Sequence, residues 1–393
     1  MGIEEPGEEY QPAPRRRGLR TGYTTGACAA AATTAACRAL SGNDPQEVGI
    51  RLPAGVDANF RIHRLVHDRQ GVSASVIKDA GDDPDVTHGA EIGVTIKPRP
   101  ERTPGGASSW KVTGPGRIAR RLAGGLTLEL VAGPGVGTVT KPGIGIPVGG
   151  PAINRVPRRM IASSVRHNLA QSQGWLSVTV WITDGARLAQ RTLNGRLGIV
   201  GGLSVLGTTG IVRPYSTASW RASVLQGVDV AHAQGCQTIV ASTGGRSEAY
   251  ARRMFSDLPE SAFVEMGEFT GHLLKRAAAV GIETVVLSGM IGKLSKIANR
   301  HLMTHVAGNQ VDMEYLAAVA GRVGAPGSIL DAIRAANSAR HVQELVLQSN
   351  LAGYFQALCA DARDSCQQFV GERPLVGVLM FGFDATLLAS VLP

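Results

Sequence analysis

The chain has 393 residues, 44% of them hydrophobic and 5% aromatic, and a formal net charge of +9. That length exceeds one ordinary core and predicts two domains, and the hydrophobic fraction excludes general disorder. No uninterrupted apolar run is long enough to span a bilayer, and the start Met1-Gly-Ile-Glu-Glu5 has neither the basic residues nor the apolar stretch of a secretory signal.

The five cysteines are odd in number and scattered, at Cys28, Cys37, Cys236, Cys359 and Cys366, with no C-x-x-C pair. This argues against a disulfide framework or a zinc knuckle and fits a reducing, cytoplasmic setting without a membrane partner. The basic residues are dispersed instead of interleaved with aromatics, so the charge points to an acidic small molecule, such as a polycarboxylate, and not to nucleic acid.

In chain order, residues 1–18 combine four glutamates, three prolines and Arg15-Arg16-Arg17 without an apolar period, and read as a disordered tail. A Gly/Thr turn from Leu19 to Gly26 then feeds an alanine-rich helix reaching about Leu40. Arg20 with Thr24 and Thr25 is a candidate anion-binding loop at that helix N-terminus, with an N-cap role for Thr25 as the plainer alternative. Cys28 on the same helix reads as packing.

Strands are predicted over Val48–Leu52, Phe60–Val66, Val72–Ile77, Leu126–Val131, Gly137–Thr140 and Leu176–Ile182, with a helix over Pro157–Ala170. Residues 19–194 therefore read as a mixed α+β domain on the substrate side. Asp79, Asp82, Asp83 and Asp85 crowd one loop of it, where like charges could raise a pKa and yield a general base, although Asp-Asp and Asp-Pro pairs also form ordinary turns. Asp79, Asp82 and Asp83 are the catalytic candidates. Lys141, Arg155, Arg158 and Arg159 are candidates for holding substrate carboxylates; the last two sit near a helix start, where a cation opposes the helix dipole.

Beyond Gly195 the pattern changes to alternating strands and helices: a strand over Leu197–Leu206, a helix over Thr217–Ala233, then strands at Thr238–Ala241, Phe263–Met266, Thr284–Leu287 and Leu375–Phe381. Such alternation predicts a parallel sheet with crossover helices over residues 195–393. Ligands of such sheets bind beyond the carboxyl ends of the strands.

Those ends read Gly207-Thr208-Thr209-Gly210, Ser242-Thr243-Gly244-Gly245-Arg246-Ser247, Gly267-Glu268 and Ser288-Gly289-Met-Ile-Gly-Lys293, and Gly207 to Gly210, Ser242 to Gly245, Glu268, Ser288 and Gly289 are the cofactor candidates among them. No P-loop or G-x-G-x-x-G spacing occurs, which weighs against an NAD site. Lys293, Lys296 and Arg300, at i, i+3 and i+7, are expected to share a helix face that could grip substrate carboxylates. His301 and His305 have metal-ligand spacing but no evident third ligand, so no protein-bound metal is expected.

Several of these segments together closely resemble one family. Leu19-Arg-Thr-Gly-Tyr-Thr-Thr-Gly-Ala-Cys28, Lys78-Asp-Ala-Gly-Asp-Asp-Pro-Asp-Val86, Thr140-Lys-Pro-Gly-Ile-Gly-Ile-Pro-Val148 with Pro151-Ala-Ile-Asn154, Leu206-Gly-Thr-Thr-Gly-Ile-Val212 and Gly289-Met-Ile-Gly-Lys-Leu-Ser-Lys296 are similar to the CbiD family, the cobalt-precorrin-5B C(1)-methyltransferases of anaerobic cobalamin synthesis. The resemblance runs in order from about Gly18 to the C-terminus. It implies S-adenosylmethionine as methyl donor, a cobalt-precorrin as acceptor and a Rossmann-like second domain. A nucleotide-dependent oxidoreductase or a non-catalytic carrier of the same pathway are the other readings. Oligomeric state is left open, a homo-oligomer included.

Overall fold

The computed structural model describes residues 18–69, 71–99, 108–169, 172–304 and 310–393. The tail expected over residues 1–18 falls outside them except for Gly18, as does His305. The fold is mixed α/β. The chain divides into two compact units, Gly18–Thr217 and Ala218–Pro393.

The first unit is built on a seven-stranded sheet. Its spatial order is Arg64–Asp68, Gly71–Ile77, Glu91–Arg99, Gly174–Ile182, Leu126–Ala132, Arg117–Arg121 and Lys111–Gly114. All pairs are antiparallel except Gly174–Ile182 with Leu126–Ala132, which run parallel.

The alanine-rich helix Thr25–Leu40 packs on Gly71–Ile77, on Glu91–Arg99 and on a second helix, Arg155–Asn168. All of its residues except Arg38 and Leu40 are buried. An alanine face stabilises the helix by propensity and brings its backbone close to its neighbours. Across the helix pair, Thr34 Oγ1 lies 2.9 Å from Ser164 Oγ, so the two buried hydroxyls satisfy one another.

Two expectations for this unit change. The stretch Phe60–Val66 is not one strand: Asp57–Arg61 pairs with Glu47–Arg51 in a separate ribbon, and Arg64–Asp68 joins the large sheet. The apolar run Leu197–Leu206 is no strand of the second unit's parallel sheet either. Ile199–Val200 pairs with Thr138–Val139, Gly202–Leu203 with Gly135–Val136, and Ile211–Val212 with Gly22–Tyr23. Gly201 between the first two takes a left-handed φ of 87°, which breaks extended pairing. These pairings carry residues 195–217 into the first unit, whereas the sequence suggested a division at Asn194.

The second unit is a five-stranded sheet in the order Phe263–Glu265, Thr238–Ser242, Thr284–Gly289, Leu375–Phe381 and Leu387–Val391. The first four are parallel, and the last adds an antiparallel edge that sequence reading missed. The parallel strands are almost wholly buried, as apolar runs covered on both faces should be. Between the strands Thr284–Gly289 and Leu375–Phe381 come the helices Ile291–Ala298, Met313–Arg322, Gly327–Arg334, Ala339–Gln348 and Tyr354–Val370. Among the described residues no helix is long and apolar enough to cross a membrane.

Candidate functional site

In the second unit, a cavity of about 630 Å³ opens at the carboxyl ends of Thr238–Ser242 and Thr284–Gly289. One wall is Thr243-Gly244-Gly245, where strand gives way to the helix Gly245–Met254. Neither glycine is required by packing: a Cβ built on Gly244 or Gly245 meets nothing within 4 Å. The helix start has no side-chain cap at Gly244, and the neighbouring helix Ile291–Ala298 has none at Met290. Their first-turn N–H groups are therefore available to a ligand in the cavity.

A second wall carries Lys293 and Lys296, one turn apart on the Ile291–Ala298 helix. Lys293 Nζ donates to the Thr243 carbonyl at 2.6 Å, and Lys296 Nζ to the Thr304 carbonyl at 3.2 Å. Burial holds the Lys293 ammonium below the ordinary lysine range, partly opposed by the charges of Glu268 and Glu265. Lys296 is also pushed down, by burial and by Lys293. The lysines expected to form a solvated or substrate-gripping face thus line a hole.

Arg300 does not join them. The helix ends at Ala298, and Arg300 is exposed with a left-handed φ of 63°, so the i+7 relation to Lys293 is lost.

Of the other cofactor candidates here, Ser242 and Ser288 are fully buried. Ser288 Oγ donates to the Ser247 carbonyl at 2.9 Å, and its own carbonyl accepts from Thr243 N, so this pair pins the loop that forms the cavity wall. Gly289 is a close approach, since a Cβ there would stand 2.9 Å from Leu294 and 3.1 Å from Thr243 Oγ1. Glu268 is buried, and its carbonyl accepts from Thr304 N. Arg246 and Ser247, at the strand end singled out from the sequence, line the cavity as well, and so do Thr304, Ser338 and Phe383, which sequence reading missed. Ser338 is legible in retrospect: it caps the helix Ala339–Gln348, accepting from His341 N at 3.2 Å.

The Gly207–Gly210 loop belongs to the first unit, not to the parallel sheet, and its glycines answer to packing. A Cβ on Gly207 (φ 128°) would lie 2.4 Å from Thr24 Oγ1, and one on Gly210 (φ 84°) would lie 2.9 Å from Leu52. Thr208 is exposed, and Thr209 Oγ1 is engaged within its own turn with Ile211. The loop closes the N-terminus of the alanine helix: Thr24 is the N-cap, accepting from Ala27 N, while Gly26 N donates to the Leu206 carbonyl at 3.0 Å. Thr25 Oγ1 exchanges hydrogen bonds with Leu206, so the cap is Thr24 rather than Thr25. The donors expected to hold an anion are already satisfied.

The catalytic candidates Asp79, Asp82 and Asp83 also hold structure together. Asp79 pairs with the Arg20 guanidinium and accepts from Gly81 N at 2.9 Å, which pulls its carboxyl below the usual range. A raised pKa was the expectation. At Asp79 it fails because the Arg20 cation and an N–H favour the carboxylate more than burial disfavours it. Asp82 accepts from Arg20 N at 2.6 Å and Asp83 from Tyr215 N at 2.9 Å, and Asp85 binds buried Lys78 at 2.7 Å.

Elsewhere in this unit Lys141 packs its stem against Gly198, and Arg159 is exposed. Arg158 is 5% exposed, with its Nε unpartnered and its pKa lowered by burial and by Arg155. Among the described residues no group of three or more His, Cys, Asp or Glu could hold a metal ion.

A mixed α/β chain with a basic cavity at the carboxyl ends of parallel strands belongs to the broad class of small-molecule α/β enzymes. The particular family follows from comparison. The CbiD family model matches residues 13–214, the model of the CbiD C-terminal domain matches residues 303–391, and this chain belongs to the CbiD family. A protein of Thermus thermophilus named cobalt-precorrin-5B C(1)-methyltransferase is 47% identical over 95% of this chain and 94% of its own length. A protein of the same name from Salinispora tropica is 47% identical over 93% of this chain and 90% of its own. A crystal structure of a cobalamin biosynthesis protein (CbiD) from Archaeoglobus fulgidus aligns at 22% identity and a TM-score of 0.36, over 84% of this chain and 85% of that one.

Proposed function

We propose that this protein is an S-adenosylmethionine-dependent methyltransferase that methylates C-1 of cobalt-precorrin-5B to give cobalt-precorrin-6A in corrin-ring synthesis. The observation that carries this is full-length kinship: 47% identity over 95% of the chain to a relative bearing that name. The second unit reads as a Rossmann-like domain on its four parallel strands and intervening helices, with the reaction at their carboxyl ends.

S-adenosylmethionine supplies an electrophilic methyl group on a sulfonium. The residues present fit such a donor in part: open space over Gly244 and Gly245, the hydroxyls of Thr243 and Ser247, and negative charge from Glu265 and Glu268 at the next strand end. The macrocycle carries carboxylate arms, which call for cations, and the cobalt arrives as part of the substrate.

Transfer to a ring carbon is an in-line displacement that needs no covalent nucleophile. The barrier falls by holding the partners at the right distance and angle, an effect worth about 7–11 kcal/mol in well-oriented systems. Thr243-Gly244-Gly245, pinned by Ser288, gives a rigid wall for such positioning. No general base is assigned to Asp79, Asp82 or Asp83, whose oxygens are committed to Arg20, Gly81 and Tyr215.

The test is transfer of isotopically labelled methyl from S-adenosylmethionine to cobalt-precorrin-5B, with product mass and NMR locating the label at C-1. Binding of the tetrapyrrole without transfer would make the protein a carrier, and nicotinamide-dependent turnover would make it an oxidoreductase.

A further inference from the structure

We infer that the Lys293–Lys296 wall of the cavity is a paired-carboxylate site, which seats two acidic arms of the acceptor. The inference rests on the proposed function for the identity of the acceptor, and on the following observations for the chemistry.

Charge comes first. Among the described residues the cavity wall contains Arg246, Lys293 and Lys296 and not one Asp or Glu. Lys296 is only 6% exposed, and among the described residues neither lysine forms an ion pair with a carboxylate, although Glu268 and Glu265 act on Lys293 from the next strand end. Among the described residues their hydrogen-bond partners are backbone carbonyls: Thr243 and, at 3.5 Å, Gly267 for Lys293, and Thr304 for Lys296. An ammonium has three donors, so each keeps hydrogen-bonding capacity for something else. A buried and a half-buried ammonium side by side, with Glu268 and Glu265 acting on one of them only from the next strand end, is a costly arrangement that suits an anion entering later.

Backbone and side-chain donors converge on the same space. The uncapped starts of Gly245–Met254 and Ile291–Ala298 and the start of Ala339–Gln348 all contribute residues to the wall, adding partial positive charge from three helix N-termini. Thr304, 1% exposed and part of the wall, has an Oγ1 with no hydrogen-bond partner. A buried hydroxyl left unpaired in this place suits a ligand oxygen.

The sum of these charges selects between the two reactants. S-adenosylmethionine carries a sulfonium and an ammonium against one carboxylate, so the lysines do not attract its charged end, which Glu265 and Glu268 suit instead. Two adjacent carboxylates on flexible arms match two adjacent ammonium groups. Arg300, exposed beyond the helix end, takes no part.

The experiment measures binding, not turnover, on the full-length chain. Uroporphyrin, a metal-free tetrapyrrole with acetate and propionate arms, is titrated by fluorescence quenching, and S-adenosylmethionine by calorimetry, against wild type, K293M, K296M and the exposed-surface control K111M. Uroporphyrin affinity is expected to fall at least tenfold in K293M and in K296M, to stay within twofold in K111M, and to weaken in wild type as salt is raised. Succinate should displace uroporphyrin from wild type, and S-adenosylmethionine affinity should stay within twofold throughout.

Far-UV circular dichroism establishes that the variants fold, and K296Q replaces K296M if the latter does not. Uroporphyrin affinity that is unchanged in both lysine variants, or insensitive to salt, overturns the inference. So does a tenfold loss of S-adenosylmethionine affinity in K296M, which would give the cavity to the donor. Absence of methyl transfer with this binding pattern intact would overturn the proposed function and leave the carboxylate site standing.

Discussion

Two glycine-rich loops, Leu206-Gly207-Thr208-Thr209-Gly210 and Ser242-Thr243-Gly244-Gly245, look alike in sequence and do opposite things. In the first, a methyl group on Gly207 or Gly210 would collide with Thr24 or Leu52, so the glycines are there because protein fills the space. In the second, a methyl group on either glycine meets nothing, and the space belongs to a cavity. Glycine marks a close approach of the chain to itself in the first case and open space in the second, and only the surroundings tell the two apart.

The sharpest way to break this comparison is to add side chains to both loops. G207V and G210V each place a β-branched residue at a left-handed φ and into a neighbour, and each should lose about 3 kcal/mol or more of stability in urea denaturation. G244A and G245A should stay within about 1 kcal/mol of wild type, since helix starts tolerate alanine in open space, while weakening ligand binding to the second unit. Equal destabilisation by both pairs would end the distinction.

A smaller effect is expected at Lys296. Its pKa is lowered in the fold, so the folded state binds fewer protons than the unfolded one as pH approaches the ordinary lysine value of 10.5, and stability rises with pH in that window. Below it the buried charge is a standing cost. K296M should therefore be more stable than wild type at pH 7, by about 1 kcal/mol, with the gap closing towards pH 10.5. Thermal melts across pH 7 to 10.5 measure this, and a less stable K296M would show that the lysine is satisfied without a ligand.

The smallest effect is expected in the acidic loop. The Asp79 carboxylate is stabilised by Arg20, so its contribution is present above the usual carboxylate pKa of 3.8 and is lost as pH falls below it. D79N should melt slightly earlier than wild type at pH 7 and converge with it in acid, as exposed pairs contribute little. Turnover should stay near wild type, and a hundredfold loss would restore Asp79 to catalysis.

The parallel sheet was legible because strands buried on both faces are uniform apolar runs ending in Gly, Ser or Thr, and four of its five members were found that way. The edge strand Leu387–Val391 was not. One half of the site was legible too, since Thr243 to Gly245 and the two lysines sit at such ends.

The rest depends on facts that no local pattern carries. That Arg300 lies past the end of its helix, that Ser338 and Phe383 line one cavity with Lys293 across more than forty residues, and that Leu197–Leu206 pairs with Gly135–Val139 instead of joining the second unit's sheet are all settled by tertiary packing. The aspartates misled for a related reason. Four acids in one loop look reactive until their partners, Arg20 and Tyr215, are brought in from distant sequence.

The strand Gly174–Ile182 holds the middle of the seven-stranded sheet, parallel to Leu126–Ala132 on one side and antiparallel to Glu91–Arg99 on the other. On each side of it lies an antiparallel meander made earlier in the chain. During synthesis, both meanders leave the ribosome with one long inner edge unpaired, and neither can close until the strand from residue 174 to 182 arrives. Such open edges are where a growing chain pairs with the wrong partner. The sheet is therefore a clasp fastened last, and truncation before residue 174 should yield two sticky half-sheets in place of a shortened domain.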